Sequence, residues 1–181
     1  MSDTGDQASG AGGSGVPAGT DETLWHDLRA TNNPEASYKA WLGMLARRIG
    51  APMLRGVVVL GPPDAGPFAP VAVWPQGTLG SPSLVSAIEK AIGKREGVTE
   101  GGKKTNAEDG AQRKIDVISH PLLLDGQVFG AVAIECAHQP VDALAQVVEH
   151  LRWSMIALEA LVRRNRFSST DRMATVLDLI A

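Results

Sequence analysis

The residues best suited to chemistry in this sequence are one cysteine and a histidine two positions after it. Cys136 and His138 follow the apolar run "VFGAVAIE" and form a Cys-x-His pair. A zinc site needs three or four such ligands, and the chain has no second cysteine to supply a CxxC pair. A lone thiol also cannot resolve an oxidised intermediate through an internal disulfide. The pair therefore indicates a small apolar side chain at a strand end, with no metal and no cofactor. A thiol-redox enzyme using Cys136 is a weak alternative.

No other motif supplies a catalytic group of residues. His26, His120 and His150 are scattered along the chain, and no Gly-x-Ser-x-Gly elbow presents a nucleophile. The segment "GPPDAGP" lacks the Lys-Ser/Thr of a phosphate-binding loop, so it indicates a turn. We therefore expect a protein that is not an enzyme.

A group of cations flanks the polar, glycine-rich residues 97–112, which we interpret as a mobile loop after a short strand at Val98. Cations in such a cluster could hold a phosphate-bearing ligand such as a cyclic dinucleotide. The acidic residues interleaved with them favour a loop that is simply solvated. An aromatic side chain in the preceding strand pattern either lines a pocket or fills the core. The candidate ligand-binding residues are Lys94, Arg95, Lys103, Lys104, Arg113 and Trp74.

Charge and composition limit the classes of function. The 181 residues carry a formal net charge of -3, so no global positive field gathers nucleic acid or anionic lipid. The N-terminus has neither the basic nor the apolar region of a secretory leader. The apolar runs are far shorter than the roughly 20 residues of a membrane-spanning helix. We therefore expect a cytoplasmic chain with no nucleic-acid partner and no membrane span.

Hydrophobic periodicity alternates between helix and strand. Two helices are predicted to begin at cap residues followed by proline, Asn33 and Ser81. Between them, a β-branched run at 56–60 and the segment "FAPVAVWP" predict a hairpin. A second hairpin is predicted at Asp125-Gly126, which fits a two-residue type I′ turn. Its second strand is apolar on successive residues, so we expect it to be central in the sheet.

The ends of the chain differ in composition from the middle. Residues 1–20 are rich in glycine and serine with almost nothing to bury, which predicts a disordered tail. Residues 21–166 are predicted to form one domain. Residues 167–181 predict the start of a further helix near Ser169, as a linker or as part of a second domain.

The C-terminal part of the domain predicts a long amphipathic helix. From Val141 to Val162, apolar residues recur at alternating spacings of three and four, which is a heptad seam. A second stripe through Trp153 and Ile156 gives the helix more apolar surface than one partner covers. We expect one side to pack on the sheet and the other to meet a second helix in a homodimer. The predicted dimer interface consists of Val148, Leu151, Met155, Leu158 and Val162.

The order of these elements resembles a GAF domain, a small-molecule-sensing relative of the PAS fold. In such domains the last two strands form an apolar hairpin, and Pro121, Leu122, Gly126 and Gly130 match its pattern. The resemblance implies an α+β fold, a GAF/PAS-like antiparallel sheet flanked by helices. In this fold a loop such as 97–112 often covers the ligand pocket, which implies a small-molecule sensor as the alternative function. The Asn-Lys-Phe-Asp-Glu signature of cyclic-nucleotide-binding members is absent.

A narrower resemblance concerns five segments: "RGVVVLG", "PVAVWP", "GAVAIE", "LRWSMIALEALVRR" and "VLDLIA". Together they are similar to the N-terminal cytoplasmic GAF-like region of HlyD-type membrane fusion proteins, the periplasmic adaptors of bacterial type I secretion and efflux systems. This resemblance implies a non-enzymatic regulatory or assembly domain that contacts a transporter or another secretion-system protein. It also implies a location at the inner membrane, with a membrane helix and a periplasmic barrel downstream of this chain.

Overall fold

Four helices and five strands make up the described part of the chain. The computed structural model describes residues 21–29, 33–50, 52–77, 81–106 and 112–178. The predicted tail, residues 1–20, lies outside this part. The elements, in chain order, are α1 (Asp21–Arg29), α2 (Pro34–Ile49), β1 (Met53–Leu60), β2 (Ala69–Trp74), α3 (Pro82–Lys94), β3 (Val98–Asn106), β4 (Gln112–Leu124), β5 (Gln127–Ala137) and α4 (Val141–Asp178).

The five strands form one antiparallel sheet in the order β2-β1-β5-β4-β3. The fold class predicted from the sequence, an α+β sheet with flanking helices, is confirmed. β5 is the middle strand, as its continuous apolar run predicted, and nine successive residues, 128–136, are buried. A strand that has a neighbour on each side and helices on both faces has no positions that face solvent, so its side chains can be apolar on successive residues.

The hairpin between β4 and β5 turns at Asp125-Gly126, as predicted. Both residues have positive φ, 52° and 80°, as a type I′ turn requires. Gly130 permits a close approach between two neighbouring strands. A Cβ built there would stand 1.9 Å from the Val59 carbonyl oxygen. The glycine therefore lets the backbone of β1 lie close to β5.

The two predicted helix starts are confirmed in detail. The Asn33 side chain accepts a hydrogen bond from the Ala36 amide at 3.1 Å, and the Ser81 hydroxyl accepts one from the Ser83 amide at 3.1 Å. In each case proline occupies the first helical position. Capping satisfies amides that have no partner inside the helix, so the boundaries of α2 and α3 follow from local sequence.

Helices cover both faces of the sheet but bury unequal cores. α2 and α4 pack on one face over the larger core, which includes Leu42, Leu122 and Leu158. On the other face α3 buries a smaller cluster through Leu84 and Ile88. Most of the apolar burial that stabilises the domain therefore depends on α2 and α4.

Two predicted boundaries differ from the structure. The segment interpreted as a loop is largely strand, because β3 pairs with β4 at the edge of the sheet, with a register shift between Glu100 and Lys103. An edge strand keeps one side in water, which accounts for its polar composition. The helix predicted to begin near Ser169 is not a separate element, because α4 runs without interruption from Val141 to Asp178. Within the described ranges, no helix is long and apolar enough to cross a bilayer.

Candidate functional site

The residues predicted to bind a ligand lie at opposite edges of the sheet. Trp74 ends β2, one edge strand, and packs half-buried against the larger core. Lys103 and Lys104 are on β3, the other edge strand, and Arg113 pairs with β3 from the start of β4. Three strands separate the two edges. Trp74 therefore does not share a site with Lys103, Lys104 and Arg113, which lie near one another at the β3 edge.

Lys103 and Arg95, both among the predicted cations, are paired with carboxylates. Lys103 and Lys90 both form ion pairs with Glu100, which links α3 to the edge strand. Hydrogen bonds from Lys103 and Lys90 hold the pKa of the Glu100 carboxyl below its ordinary value, against the opposing effect of burial. Arg95 is occupied at the other end of α3. A phosphate would have to compete with these carboxylates.

Arg95 ties the C-terminus of α3, where Lys94 is the last residue, to two turns. Its guanidinium donates to Asp64 at 2.7 Å and to the Gly126 carbonyl at 2.9 Å. The same Asp64 oxygen accepts from the Val128 amide at 3.0 Å. Arg95 thus joins the β1–β2 connection to the β4–β5 turn, and its contacts explain a structural role.

Cys136 is fully buried on the central strand. Burial raises the pKa of its thiol to about 12, with a further contribution from the negative charges of Asp116 and Glu135. The thiolate is the reactive form of cysteine, so burial and the raised pKa both disfavour reaction at this thiol. Within the described ranges, no cluster of three His, Cys, Asp or Glu side chains could hold a metal.

Asp116 is a buried carboxylate that the sequence analysis did not identify. Its Oδ1 atom receives hydrogen bonds from the Gly102 amide at 2.8 Å and His138 Nδ1 at 2.7 Å, and its Oδ2 atom from the Gln139 amide at 2.8 Å. Burial raises its pKa, but these hydrogen bonds outweigh burial and leave the pKa below its ordinary value. Asp116 therefore fastens the β3 irregularity to the start of the β5–α4 connection.

A second buried carboxylate anchors α3. Glu135, on β5, accepts a short hydrogen bond from the hydroxyl of Ser81, which itself caps α3. Both side chains are buried. An acidic residue inside the apolar run of β5 was the available signal in the sequence. Only the fold brings it beneath the helix N-terminus, where the helix dipole favours negative charge.

The predicted dimer-interface residues are occupied by the chain's own core. Side chains of Leu151, Met155, Leu158 and Val162 are buried against the sheet and α2, and Val148 packs partly buried beside them. The heptad seam is thus the inner face of α4, because the sheet presents a larger apolar surface than a second helix would. Among residues 141–166, the part of α4 whose side chains are described, the large apolar side chains that stay exposed beyond the first turn are on another face, Trp153 and Ile156.

Several contacts hold α4 at a fixed position. The Trp41 indole donates to the Ser154 carbonyl at 3.0 Å and fixes α4 to α2. Arg163 donates to both carboxylate oxygens of Asp125, at 3.1 and 3.0 Å, and so holds the hairpin tip. These contacts therefore fix the exposed face of α4 relative to α2 and the β4–β5 turn.

Solved structures of GAF domains are similar to this one. The A. aeolicus nlh2 GAF domain in an inactive state aligns with a TM-score of 0.58 at 12% identity, covering 79% of this chain and 93% of that one. The GAF domain of the Coxiella burnetii phosphoenolpyruvate-protein phosphotransferase gives 0.55 at 12%, covering 83% and 94%. Free methionine-R-sulfoxide reductase from Neisseria meningitidis, solved with its substrate, gives 0.56 at 16%, covering 82% and 86%.

The chain therefore has the GAF fold that its sequence resembles. No protein-family model matches the sequence, and no curated protein matches it either. At such low identity the likeness concerns the fold alone and does not identify a binding or catalytic site.

Proposed function

We propose that this chain is a non-enzymatic regulatory domain that assembles with a second copy through the exposed face of α4. The observation that carries the proposal is the exposure of two large apolar side chains, Trp153 at 64% and Ile156 at 59%. They are three residues apart and so neighbour each other on one helix face. Exposed Ala157 and Ala160 continue that face. Contiguous apolar surface of this kind is typical of an interaction site.

Charge placement favours a second copy as the occupant. Glu149 and Arg163 are both exposed, and each is seven residues from Ile156, on the same side of the helix. In a two-fold antiparallel pairing centred on Ile156, Glu149 of each copy would face Arg163 of the other. Two-fold pairing uses the same patch on both subunits, and opposite charges at its ends would set the register.

Sedimentation analysis of three variants tests this assembly. Trp153→Glu removes one large apolar contact per copy, worth at least about 3 kcal/mol in total, so we expect a dissociation constant raised roughly 100-fold. Glu149→Arg places like charges at both ends of the pairing and is expected to weaken it less. Val85→Glu is the matched control, because Val85 is 51% exposed on α3, away from α4.

The proposal fails if the unmodified protein sediments as a monomer at about 100 μM. A dissociation constant above that concentration corresponds to a binding free energy of less than about 5.5 kcal/mol in magnitude. It also fails if Val85→Glu reduces association as much as Trp153→Glu. Charging Leu151 or Met155 would not be informative, because these side chains are in the core and the variants would unfold.

We further propose that the domain works on the cytoplasmic side of a bacterial HlyD-type adaptor and contacts the transporter or another secretion-system protein. The support is the similarity of five sequence segments to such adaptors. This setting predicts that the open reading frame continues into a membrane helix and a periplasmic domain. A stop codon directly after Ala181 would contradict it.

The absence of catalysis is part of the proposal and rests on Cys136, whose buried thiol has a pKa raised to about 12. Binding of a cyclic dinucleotide under residues 97–112, the alternative from the sequence, has less support. Of the cations it requires, Arg95 and Lys103 are paired with carboxylates.

A further inference from the structure

A cavity of about 270 Å³ lies between α4 and the edge of the sheet. Its walls come from Gly97 and the first residues of β3, from the middle of β4 and from the inner side of α4. Ile118 and Leu151 belong to the larger core, so the cavity is on the sheet face opposite α3. The lining residues are Gly97, Val98, Thr99, Ile118, Ser119, His120, Val148, Leu151 and Arg152.

The cavity combines an unpaired cation with an imidazole. Arg152 forms no hydrogen bond or ion pair with any residue in the described part of the chain. His120 Nδ1 lies 3.0 Å from the Pro121 carbonyl oxygen. Because a carbonyl oxygen can only accept, Nδ1 carries the hydrogen, and Nε2 is left for another partner. None of the described lining residues is acidic.

Gly97 shapes the wall next to the imidazole. A Cβ at this position would stand 3.3 Å from Cδ2 and 3.8 Å from Nε2 of His120. A side chain at this position would therefore press against the ring on the side facing the start of β3. The opposite wall is apolar, formed by Ile118, Val148 and Leu151. The cavity thus has one cationic side and one hydrophobic side.

A comparison with the other cavity supports this choice. A second hollow of about 270 Å³ lies beside β2, and its cation, Lys39, is paired with Glu35 at 2.5 Å. A carboxylate already neutralises that site. Only the cavity at α4 offers a guanidinium without a counter-ion among these two, and guanidinium groups bind carboxylates and phosphates in bidentate geometry.

We propose that the cavity beside α4 binds a small organic anion, a carboxylate or phosphate monoester with an apolar part. Arg152 holds the charged group, Ile118, Val148 and Leu151 contact the apolar part, and His120 Nε2 accepts a hydrogen bond from a hydroxyl group of the ligand. A cavity of about 270 Å³ falls just below the range of roughly 300–1,000 Å³ typical of drug-sized ligands. The volume fits a small metabolite and excludes a cyclic dinucleotide. This inference is independent of assembly through Trp153.

NMR chemical-shift titration tests the proposal, with benzoate and phenyl phosphate as probes and benzyl alcohol as the neutral control. We expect at least one anion to shift the amide signals of Gly97, Val98 and Thr99 saturably, and the alcohol to bind far more weakly. The two anions distinguish a carboxylate site from a phosphate site. Arg152→Gln is expected to weaken anion binding roughly 10- to 100-fold, as for loss of a charged hydrogen-bond donor.

Arg29→Gln is the matched control, because it removes the same charge from an exposed position outside the cavity and should leave the affinity unchanged. The titration is repeated on Trp153→Glu, where unchanged binding would separate the cavity from assembly. The proposal is overturned if neither anion saturates these signals, if benzyl alcohol binds as well as both anions, or if Arg152→Gln binds as tightly as the unmodified protein.

Discussion

Asp116 shows how a single buried residue can join distant parts of the chain. Three donors, from β3 and from the residues after β5, converge on its carboxylate. A buried charge is costly unless hydrogen bonds compensate it, and here they hold the pKa of Asp116 below its ordinary value despite burial. The residue therefore contributes stability only while it is ionised.

Asp116→Asn is expected to destabilise the fold by roughly 3 kcal/mol at neutral pH. The side-chain amide oxygen can still accept a hydrogen bond. The NH2 group, however, would place its hydrogens against the donor that the second carboxylate oxygen now binds. Because the folded pKa is lower than the unfolded value of about 3.9, the stabilisation is present above that pH and is lost as pH falls through the folded pKa.

Urea denaturation at several pH values measures this effect. The stability difference between the unmodified protein and Asp116→Asn should be largest above about pH 4 and shrink below it. Asp142→Asn, an exposed change in the first turn of α4, is the control and should cost less than about 1 kcal/mol. A difference that does not change with pH would contradict the assignment.

At the scale of elements, the contact between β1 and β5 depends on one glycine. Gly130 has a φ of 153°, and the Val59 carbonyl occupies the place where its Cβ would be. No rotamer change can relieve a clash with backbone. The pairing of β4 with β5 shifts register between Leu122 and Leu123, and Leu122 is the partner of Gly130. Both irregularities therefore lie at the same place in the sheet.

Gly130→Ala is expected to cost about 3 kcal/mol or more, since overpacking against backbone cannot relax. The matched change in the same hairpin is Gly126→Ala, which has a positive φ of 80° but nothing within 4 Å of its Cβ and should cost about 1–2 kcal/mol. Thermal denaturation of both variants gives the comparison. Equal costs would show that the close approach to Val59 is unimportant.

At the scale of the whole molecule, the complete burial of Cys136 shows how well the sheet is covered at its middle strand. It is the chain's only cysteine and is buried in the middle strand beneath the larger core. At pH 8 a thiol with a pKa of about 12 is ionised in roughly one molecule in ten thousand. Reaction with a thiol reagent therefore requires a large opening of the fold.

Labelling of Cys136 by a disulfide reagent should follow unfolding of the whole domain. We expect negligible labelling under native conditions, rapid labelling in urea, and a native rate that rises in the destabilised Gly126→Ala variant. Labelling that is complete within seconds under native conditions would mean that the strand is accessible, and would reopen the thiol-redox alternative.

The sequence by itself determined the features that depend on neighbours along the chain. The caps at Asn33 and Ser81, the turn at Asp125-Gly126 and the apolar run of β5 all act within a few residues, so their types predict α2, α3 and the central hairpin. Only the start of the edge strand β3, at Val98, was predicted, because its other residues are polar and face water on one side, and only pairing with β4 makes them a strand.

The tertiary structure alone decided which residues meet. The heptad seam of α4 was equally compatible with a second helix and with a sheet, and the sheet buried it, which left Trp153 and Ile156 outside. Trp74 lies at the opposite edge of the sheet from Lys103, Lys104 and Arg113, while Arg152 and His120, 32 positions apart by their numbering, line one cavity. Periodicity specifies that a face is apolar, but the partner of that face depends on the surface the rest of the chain can offer.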